Sequence, residues 1–333
     1  MDGAGLLELK LQSAAASQDP ADGNWRRGDF DWSEQLAALV AEIDDRVVGM
    51  LGFHEHYDTG LGRPTLYIDD IFVESTHRRL GVASSLLAEL AVRARERNIP
   101  RIDLHVREDN SAARRLYRKL GFERPRGSIV CILAGRAPLA RAKTMPRALR
   151  READASIVSR RGAEPLAFHV RFAEHKDIPS LFRLRCQMAE LDETTGAMCA
   201  TMDDWRRDCA GPQPRFAALI AQHDAAIVAM LTFSAHHYNA VPEPALRIQD
   251  LFVQPNCRRQ GVASALLAEL IARARAHQIC HIELNLRKRD GVASAITRRL
   301  GFAPVHHCAT YLLAGPSLLE LAETANNVAG LLT

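Results

Sequence analysis

Arg78-Arg79-Leu80-Gly81-Val82-Ala83-Ser84 returns 180 residues later as Arg258-Arg259-Gln260-Gly261-Val262-Ala263-Ser264. The same offset superimposes Leu86-Leu87-Ala88-Glu89-Leu90 on Leu266-Leu267-Ala268-Glu269-Leu270, and Leu120-Gly121-Phe122 on Leu300-Gly301-Phe302. It also places Leu133-Ala134-Gly135 on Leu313-Ala314-Gly315 and Trp25 on Trp205, with no gap between Trp25 and Gly135. The chain is therefore a duplication. Its period exceeds the ~20–50 residues of a solenoid repeat, so each unit is a whole domain. A length of 333 residues suits two domains of roughly 150 each.

In both copies the quoted stretch joins an apolar strand to an amphipathic helix. Small residues at 81 and 83 let the backbone come close to a ligand. A turn entering a helix N-terminus directs unpaired N–H groups outward at the positive end of the helix dipole, which suits a pyrophosphate. Arg78 and Arg79 add charge-assisted contacts to phosphate. A tight strand-to-helix turn with no ligand reads the same from this stretch alone. Some thirty residues on comes Asn110-Ser111-Ala112-Ala113-Arg114-Arg115-Leu116-Tyr117-Arg118-Lys119-Leu120-Gly121-Phe122. There Asn110 caps a helix that carries Ala113 and Tyr117 on one face, four residues apart.

Around these motifs the first copy alternates. Leu36–Ala41, Val47–His54 and Thr65–Val73 read as strands, Val82–Glu96 as a helix, Arg101–Val106 as a strand, Ser111–Leu120 as a helix and Ile129–Leu133 as a last strand. The pattern gives an α/β fold (α+β, around a mixed, mostly antiparallel, twisted sheet flanked by helices) in each of two tandem domains. We divide the chain at 1–136, a linker at 137–165, and 166–333. The linker is rich in Ala and Arg, contains Pro138, Pro146 and Pro165, and includes a helix-compatible stretch at Ala148–Ile157. The second copy opens with a strand at Phe168–Phe172 and a helix at Ile178–Leu191, with Asp177 as N-cap. Shifted back by 180, this opening falls before residue 1, so the first copy lacks its first strand and the start of its first helix. Leu7-Glu8-Leu9-Lys10-Leu11 reads as a substitute strand or as the rest of that helix; a misassigned start is the third option.

Composition sets outer bounds. Hydrophobic residues make up 47% and charged residues 25%, as in soluble globular chains. A net charge of +3 is too small to argue for nucleic acid. Seven cysteines without a CxxC pair, an acidic rather than basic start and no apolar run of ~18–20 residues lead us to expect a cytoplasmic, reduced protein with no membrane span and no metal.

The two motifs in this order closely resemble those of the GNAT acetyltransferase superfamily. Its signature is Arg/Gln-x-x-Gly-x-Gly/Ala before a long helix, then Asn-x-x-Ala-x-x-x-Tyr ending in Gly-Phe. The resemblance covers nearly all of both halves. It implies acetyl-CoA as co-substrate, bound where the sheet splays. It implies that Ile71, Phe72 and Val73 lend backbone hydrogen bonds to the pantetheine arm, that Arg79, Leu80, Gly81, Val82, Ala83 and Ser84 hold the pyrophosphate beside Arg78, and that Asn110 contacts the cofactor. It also implies that Tyr117 lies beside the thioester sulfur. A phenol with an ordinary pKa near ~10 is a reasonable acid for a departing thiolate. Backbone N–H on the splayed strand can polarise the acetyl carbonyl. More narrowly, Tyr57 to Val73 resembles the matching stretch of the spermidine/spermine and thialysine N-acetyltransferases, which carry two acidic residues before an aromatic-Val strand end. Here these are Asp69 and Asp70, placed to hold a cationic amine, with Asp70 also taking up its proton; the alternative is that one of the pair, Asp69, only faces solvent. Gly60 stands where the polyamine enzymes have an aromatic residue, which is a departure from that group.

The second copy keeps the cradle Arg258, Arg259, Gln260, Gly261, Val262, Ala263 and Ser264 and the strand Leu251, Phe252 and Val253. It has Asp290 for Asn110, Thr297 for Tyr117 and Gln249 for Asp69, and retains Asp250. It therefore reads as a structural or CoA-binding domain, with Tyr311, His306 and His307 as alternative donors. The acidic run Glu190-Leu191-Asp192-Glu193 falls in a loop that reads as solvated or as a wall of the substrate site. Three functions follow: transfer of acetyl to a small cationic amine by the first domain, transfer to a protein or peptide, and non-catalytic acetyl-CoA binding. The matching groups often pair as homodimers, so the fusion reads as a covalent pseudo-dimer, open to further homo-oligomerisation, with the second domain completing the truncated edge of the first.

Overall fold

A computed structural model describes residues 8–13, 37–125, 128–134, 166–192, 198–238, 241–279, 281–287, 291–305 and 308–330. The linker, Trp25, Glu193, Asp290, His306 and His307 lie outside these, as does the side chain of Tyr311. The first half contains β1 (Glu8–Ser13), β2 (Ala37–Ile43), β3 (Arg46–Asp58), β4 (Arg63–Val73), α1 (Val82–Glu96), β5 (Arg101–Arg107), α2 (Ser111–Lys119) and β6 (Ser128–Ala134). The second half contains β7 (His169–Phe172), α3 (Ile178–Leu191), α4 (Met202–Ala210), β8 (Ala217–His223), β9 (Ala226–Tyr238) and β10 (Val241–Val253). It continues with α5 (Val262–Ala276), β11 (His281–Arg287), α6 (Gly291–Arg299), β12 (Ala303–Pro304), β13 (Cys308–Ala314) and α7 (Gly315–Gly330).

Two mixed sheets result, one ordered β1-β2-β3-β4-β5-β13 and the other β12-β6-β11-β10-β9-β8-β7. The last strand of each copy therefore belongs to the sheet of the other. β13 runs antiparallel to β5, with Cys308 opposite Arg107 and Ala314 opposite Arg101. β6 runs antiparallel to β11 in the same manner, with Ser128 opposite Arg287 and Ala134 opposite His281.

The first core follows from the strand and helix periods. Leu39, Val48, Leu51, Phe53, Leu66 and Ile68 on the strands meet Leu86, Leu87, Leu90 and Ala94 along one stripe of α1. Leu313, Leu318, Leu321 and Ala322 from the end of the chain complete that core. Each fully buried leucine contributes about 1.5–3 kcal/mol, so the first half owes several kcal/mol to residues of the second repeat.

Of the two elements expected to be missing at the front of the first copy, the strand has a substitute, while any helix between it and β2 lies outside the described residues. β1 pairs antiparallel with β2, Glu8 opposite Glu42 and Ser13 opposite Ala37, as β7 pairs with β8. The second copy does complete the first sheet, but at the opposite edge, through β13. Asp177 does not cap α3 with its side chain. Its carboxylate accepts from the Glu174 amide at 2.8 Å and pairs with Arg171 at 2.6 Å, fixing the turn before the helix instead.

Between the sheets lies a buried polar seam. His54, His56, Tyr67 and His105 of the first copy meet His236, Arg247 and Glu283 of the second. The ring of His236 lies 5.1 Å from His54 and 5.6 Å from Tyr67. The Arg247 guanidinium sits 5.6 Å over the Tyr67 ring. Tyr67 and His105 share a 2.8 Å hydrogen bond between the phenol and Nδ1. Burial, with Arg247, His54, Arg101 and His236 nearby, holds the His56 pKa well below its usual value. Burial and Arg247 push His105 down to about 3.

Candidate active site

Strands β4 and β5 run parallel but pair only from Leu66 to Ile68, against Ile102 to Leu104. Beyond that point Asp70 to Val73 have ladder partners on β3 alone, and the sheet is open between β4 and β5. At the mouth of this opening the chain turns into α1. Arg79 takes the left-handed conformation (φ 65°), and Gly81 does so at the N-cap (φ 92°). A Cβ at Gly81 would meet nothing within 4 Å, so its outer side is clear. No side chain caps the first turn of α1, which leaves its first amides without a side-chain acceptor. Arg79, Leu80 and Gly81 are exposed, and Leu80 covers no core. Arg78 has a role that the sequence motif does not reveal. Its Nε donates to the Val73 carbonyl at 3.0 Å and ties the cradle to the strand end.

Asn110 accepts from the Ala113 amide at 3.1 Å and caps α2 as expected. Tyr117 is the one buried residue of that helix, 4% exposed, with its ring 5.4 Å from Phe122. Burial raises its phenol to about 12, so it stays protonated at neutral pH.

The acidic pair separates at a β-bulge. Gly52 opposes Asp70 and Phe53 opposes Ile68, which makes Asp69 the extra residue. The alternative reading, in which Asp69 faces solvent, does not hold, and its carboxylate is engaged within the fold. Its carboxylate is 3% exposed and lies 2.8 Å from His54 Nδ1. Asp70 is the exposed member, on the same face as Phe72 and Met50, which are 55% and 40% exposed.

The second copy repeats the frame closely. Arg259 (φ 64°) and Gly261 (φ 82°) reproduce the cradle, Arg258 Nε donates to Val253 O at 3.0 Å, and Gln249 is the extra residue of the equivalent bulge. The chain matches the profile of the acetyltransferase (GNAT) family over residues 8–122 and again over 179–302. It belongs to that family.

Human N-acetyltransferase 8 is 33% identical over 95 residues, covering 28% of this chain and 42% of that protein. The mycothiol acetyltransferase of Mycolicibacterium smegmatis is 32% identical over 125 residues, covering 34% of this chain and 41% of that one. The chain thus spans about two-fifths of the length of these curated relatives. Among solved structures, a tandem GNAT protein from the clavulanic acid biosynthesis pathway, without AcCoA, matches with a TM-score of 0.51 at 18% identity. That match covers 93% of this chain and 99% of the other and shows a shared fold.

The two GNAT copies differ at the positions equivalent to Tyr117 and Asp70. Thr297, in place of Tyr117, donates its hydroxyl to the Ala293 carbonyl of its own helix at 2.9 Å. Asp250, in place of Asp70, is 3% exposed. It accepts from Thr232 at 2.6 Å and from Thr59 of the first copy at 2.7 Å, and lies 3.1 Å from Arg185 Nε. Thr59, Arg185 and Thr232 were not identifiable as site residues from sequence. The available signal was the Asp58-Thr59-Gly60-Leu61-Gly62 turn, which the second copy replaces with Tyr238-Asn239-Ala240-Val241-Pro242. Among the described residues, no helix is long and apolar enough to cross a membrane.

Proposed function

We propose that the chain transfers acetyl from acetyl-CoA to a primary amine of a small cationic acceptor, and that the first copy carries the reaction. The family's use of acetyl-CoA supports the donor. The uncapped first turn of α1 and the open space beside Gly81 fit a pyrophosphate. Arg79 to Ser84 would hold it, with Arg78 as the anchor of the turn, Ile71 to Val73 would align the pantetheine arm, and Asn110 would border it. When bound, acetyl-CoA supplies an activated acetyl thioester. Asp70 holds the incoming ammonium group and accepts its proton, directly or through water, and Tyr117 protonates the departing thiolate. A phenol raised to about 12 remains loaded with its proton until that moment.

The observation that carries this reading is the contrast between the copies. Tyr117 and exposed Asp70 stand in one, whereas Thr297 turned into its helix and buried Asp250 stand in the other. The second copy retains the cradle and acts as a structural or CoA-holding partner. The exposed Asp70 carboxylate at the open end of β4 supports a cationic acceptor. Thiol release from acetyl-CoA over a panel of small amines and peptides tests the proposal. Turnover with small amines, lost in Tyr117→Phe while acetyl-CoA still binds, is the expected result. An unchanged rate in that variant would remove Tyr117 from the mechanism, and turnover restricted to peptides would favour a protein acetyltransferase.

A further inference from the structure

The turn between β3 and β4 of the first copy reaches into the second copy on the side of Asp250. Tyr57 stacks on Phe216 with ring centroids 5.3 Å apart, and its phenol donates to Asp208 at 2.8 Å. Thr59 donates its backbone N–H to Gln249 Oε1 at 3.0 Å and its hydroxyl to Asp250 at 2.7 Å. The Thr59 carbonyl accepts from Trp205 Nε1 at 3.1 Å. The Gly60 carbonyl accepts from the amides of both Cys199 and Ala200 at 2.9 Å.

The turn is shaped for this place. Asp58 Oδ1 accepts from the amides of Gly60 and Leu61, and its other oxygen pairs with Arg101 at 2.6 Å. A methyl at position 60 would fall 2.5 Å from Arg185 Nη2, and one at 62 would fall 2.9 Å from the Ala200 Cα. The second copy has Ala240 and Pro242 at the equivalent positions, so its sequence does not repeat these two glycines.

Asp250 stands where Asp70 stands in the first copy, at the same bulge. We infer that the Thr59–Gly62 turn is the resident occupant of the second copy's acceptor pocket. Its hydroxyl and the Arg185 guanidinium take the place that an acceptor's hydroxyl and ammonium groups would fill at Asp250. The chain then admits one acceptor, at Asp70, and the second copy is closed to amines whatever it binds in its cradle. This inference rests on reading the Asp70 side as the acceptor side.

Hydrogen exchange on the full-length protein tests it without requiring turnover. The Cys199 and Ala200 amides should exchange about a hundredfold or more slower than unprotected amides. Benzylammonium at millimolar concentration, used as the amine probe, should leave those rates unchanged. Thr59→Val, which keeps the shape and removes the hydroxyl donated to Asp250, should speed both amides while Thr59→Ser should not. Unprotected exchange in the wild type, or acceleration by benzylammonium, would overturn the inference, the latter by showing that amines displace the turn. Because no reaction is measured, failure of the acetyl-transfer proposal would appear separately, as absent thiol release with both amides still protected.

Discussion

The phenol of Tyr57 donates a 2.8 Å hydrogen bond to Asp208, 151 residues away and in the other repeat. Both groups are buried, and Arg207 pairs with the same carboxylate at 2.5 Å. Burial and the hydrogen bond to Asp208 raise the Tyr57 pKa well beyond the ordinary phenol range, so the phenol keeps its proton and stays a donor at neutral pH. Tyr57→Phe keeps the stacking on Phe216 and removes one donor from a charged acceptor. It should destabilise the chain by about 1.5–3 kcal/mol, measured by denaturant unfolding, without altering acetyl-CoA affinity.

The bulge assigns different work to two adjacent carboxylates. Asp70→Asn should raise the KM of the amine acceptor by roughly ten- to a hundredfold, about 1.4–2.7 kcal/mol, and lower kcat through loss of the proton acceptor, with acetyl-CoA binding unchanged. Asp69→Asn acts on the buried contact with His54 and should lower Tm instead. Steady-state kinetics and thermal melts on the two variants separate these effects. A matched KM rise in both would contradict the division.

The histidine seam predicts an acid-sensitive fold. His56 and His105 are held neutral inside, with pKa values below those of the unfolded chain. The folded state therefore binds fewer protons. Stability is complete above the unfolded value near ~6.5 and falls as pH drops through it, by up to about 1.4 kcal/mol per pH unit for each histidine. Glu283 works in the opposite sense. Burial raises its carboxyl, against Arg247 and His54, so its protonation offsets part of the loss at lower pH. His105→Asn installs the residue that the second copy carries at Asn285 and should flatten the decline, read as unfolding free energy between pH 7.5 and 5.

Gly62 combines a left-handed backbone (φ 65°) with close approach to the Ala200 backbone. Gly62→Ala should cost at least about 1–2 kcal/mol from conformation alone, and more from the clash. Enhanced exchange at Cys199 and Ala200 should accompany the loss. A Gly81→Ala control has open space around its new methyl and should leave those two amides protected.

Residues 1–150 expressed alone lack β13 beside β5 and α7 against α1. Such a fragment should not persist as a folded monomer, and co-expression with 151–333 should restore a compact one-to-one complex. Sedimentation and circular dichroism check both outcomes. A stable monomeric 1–150 would contradict the exchange.

Local signals were legible in the sequence, and tertiary pairings were not. The helix expected at Val82–Glu96 occurs with those bounds, and Asn110 caps α2, because apolar period and capping chemistry act within a few residues. The strand exchange left no trace. Ser128–Ala134 and Cys308–Ala314 occupy equivalent positions in two similar repeats, so the apolar pattern of either fits both sheets equally. The side on which Asp69 points is not legible in the sequence, because one extra residue in a strand reverses the side to which a neighbour points. Thr59 resembles any turn residue until Asp250 is brought beside it.

The exchanged strands also set a timetable for synthesis. Arg101–Arg107 must wait for Cys308–Ala314, roughly 200 residues downstream, before its outer edge is paired. At a translation rate of about 5–20 residues per second, that edge stays open for on the order of 10–40 seconds. During that interval the nascent first half carries an exposed strand edge and an unfinished core, both routes to aggregation. Demand for chaperone protection should therefore peak midway through translation, when the first repeat is fully made and its closing strand is not.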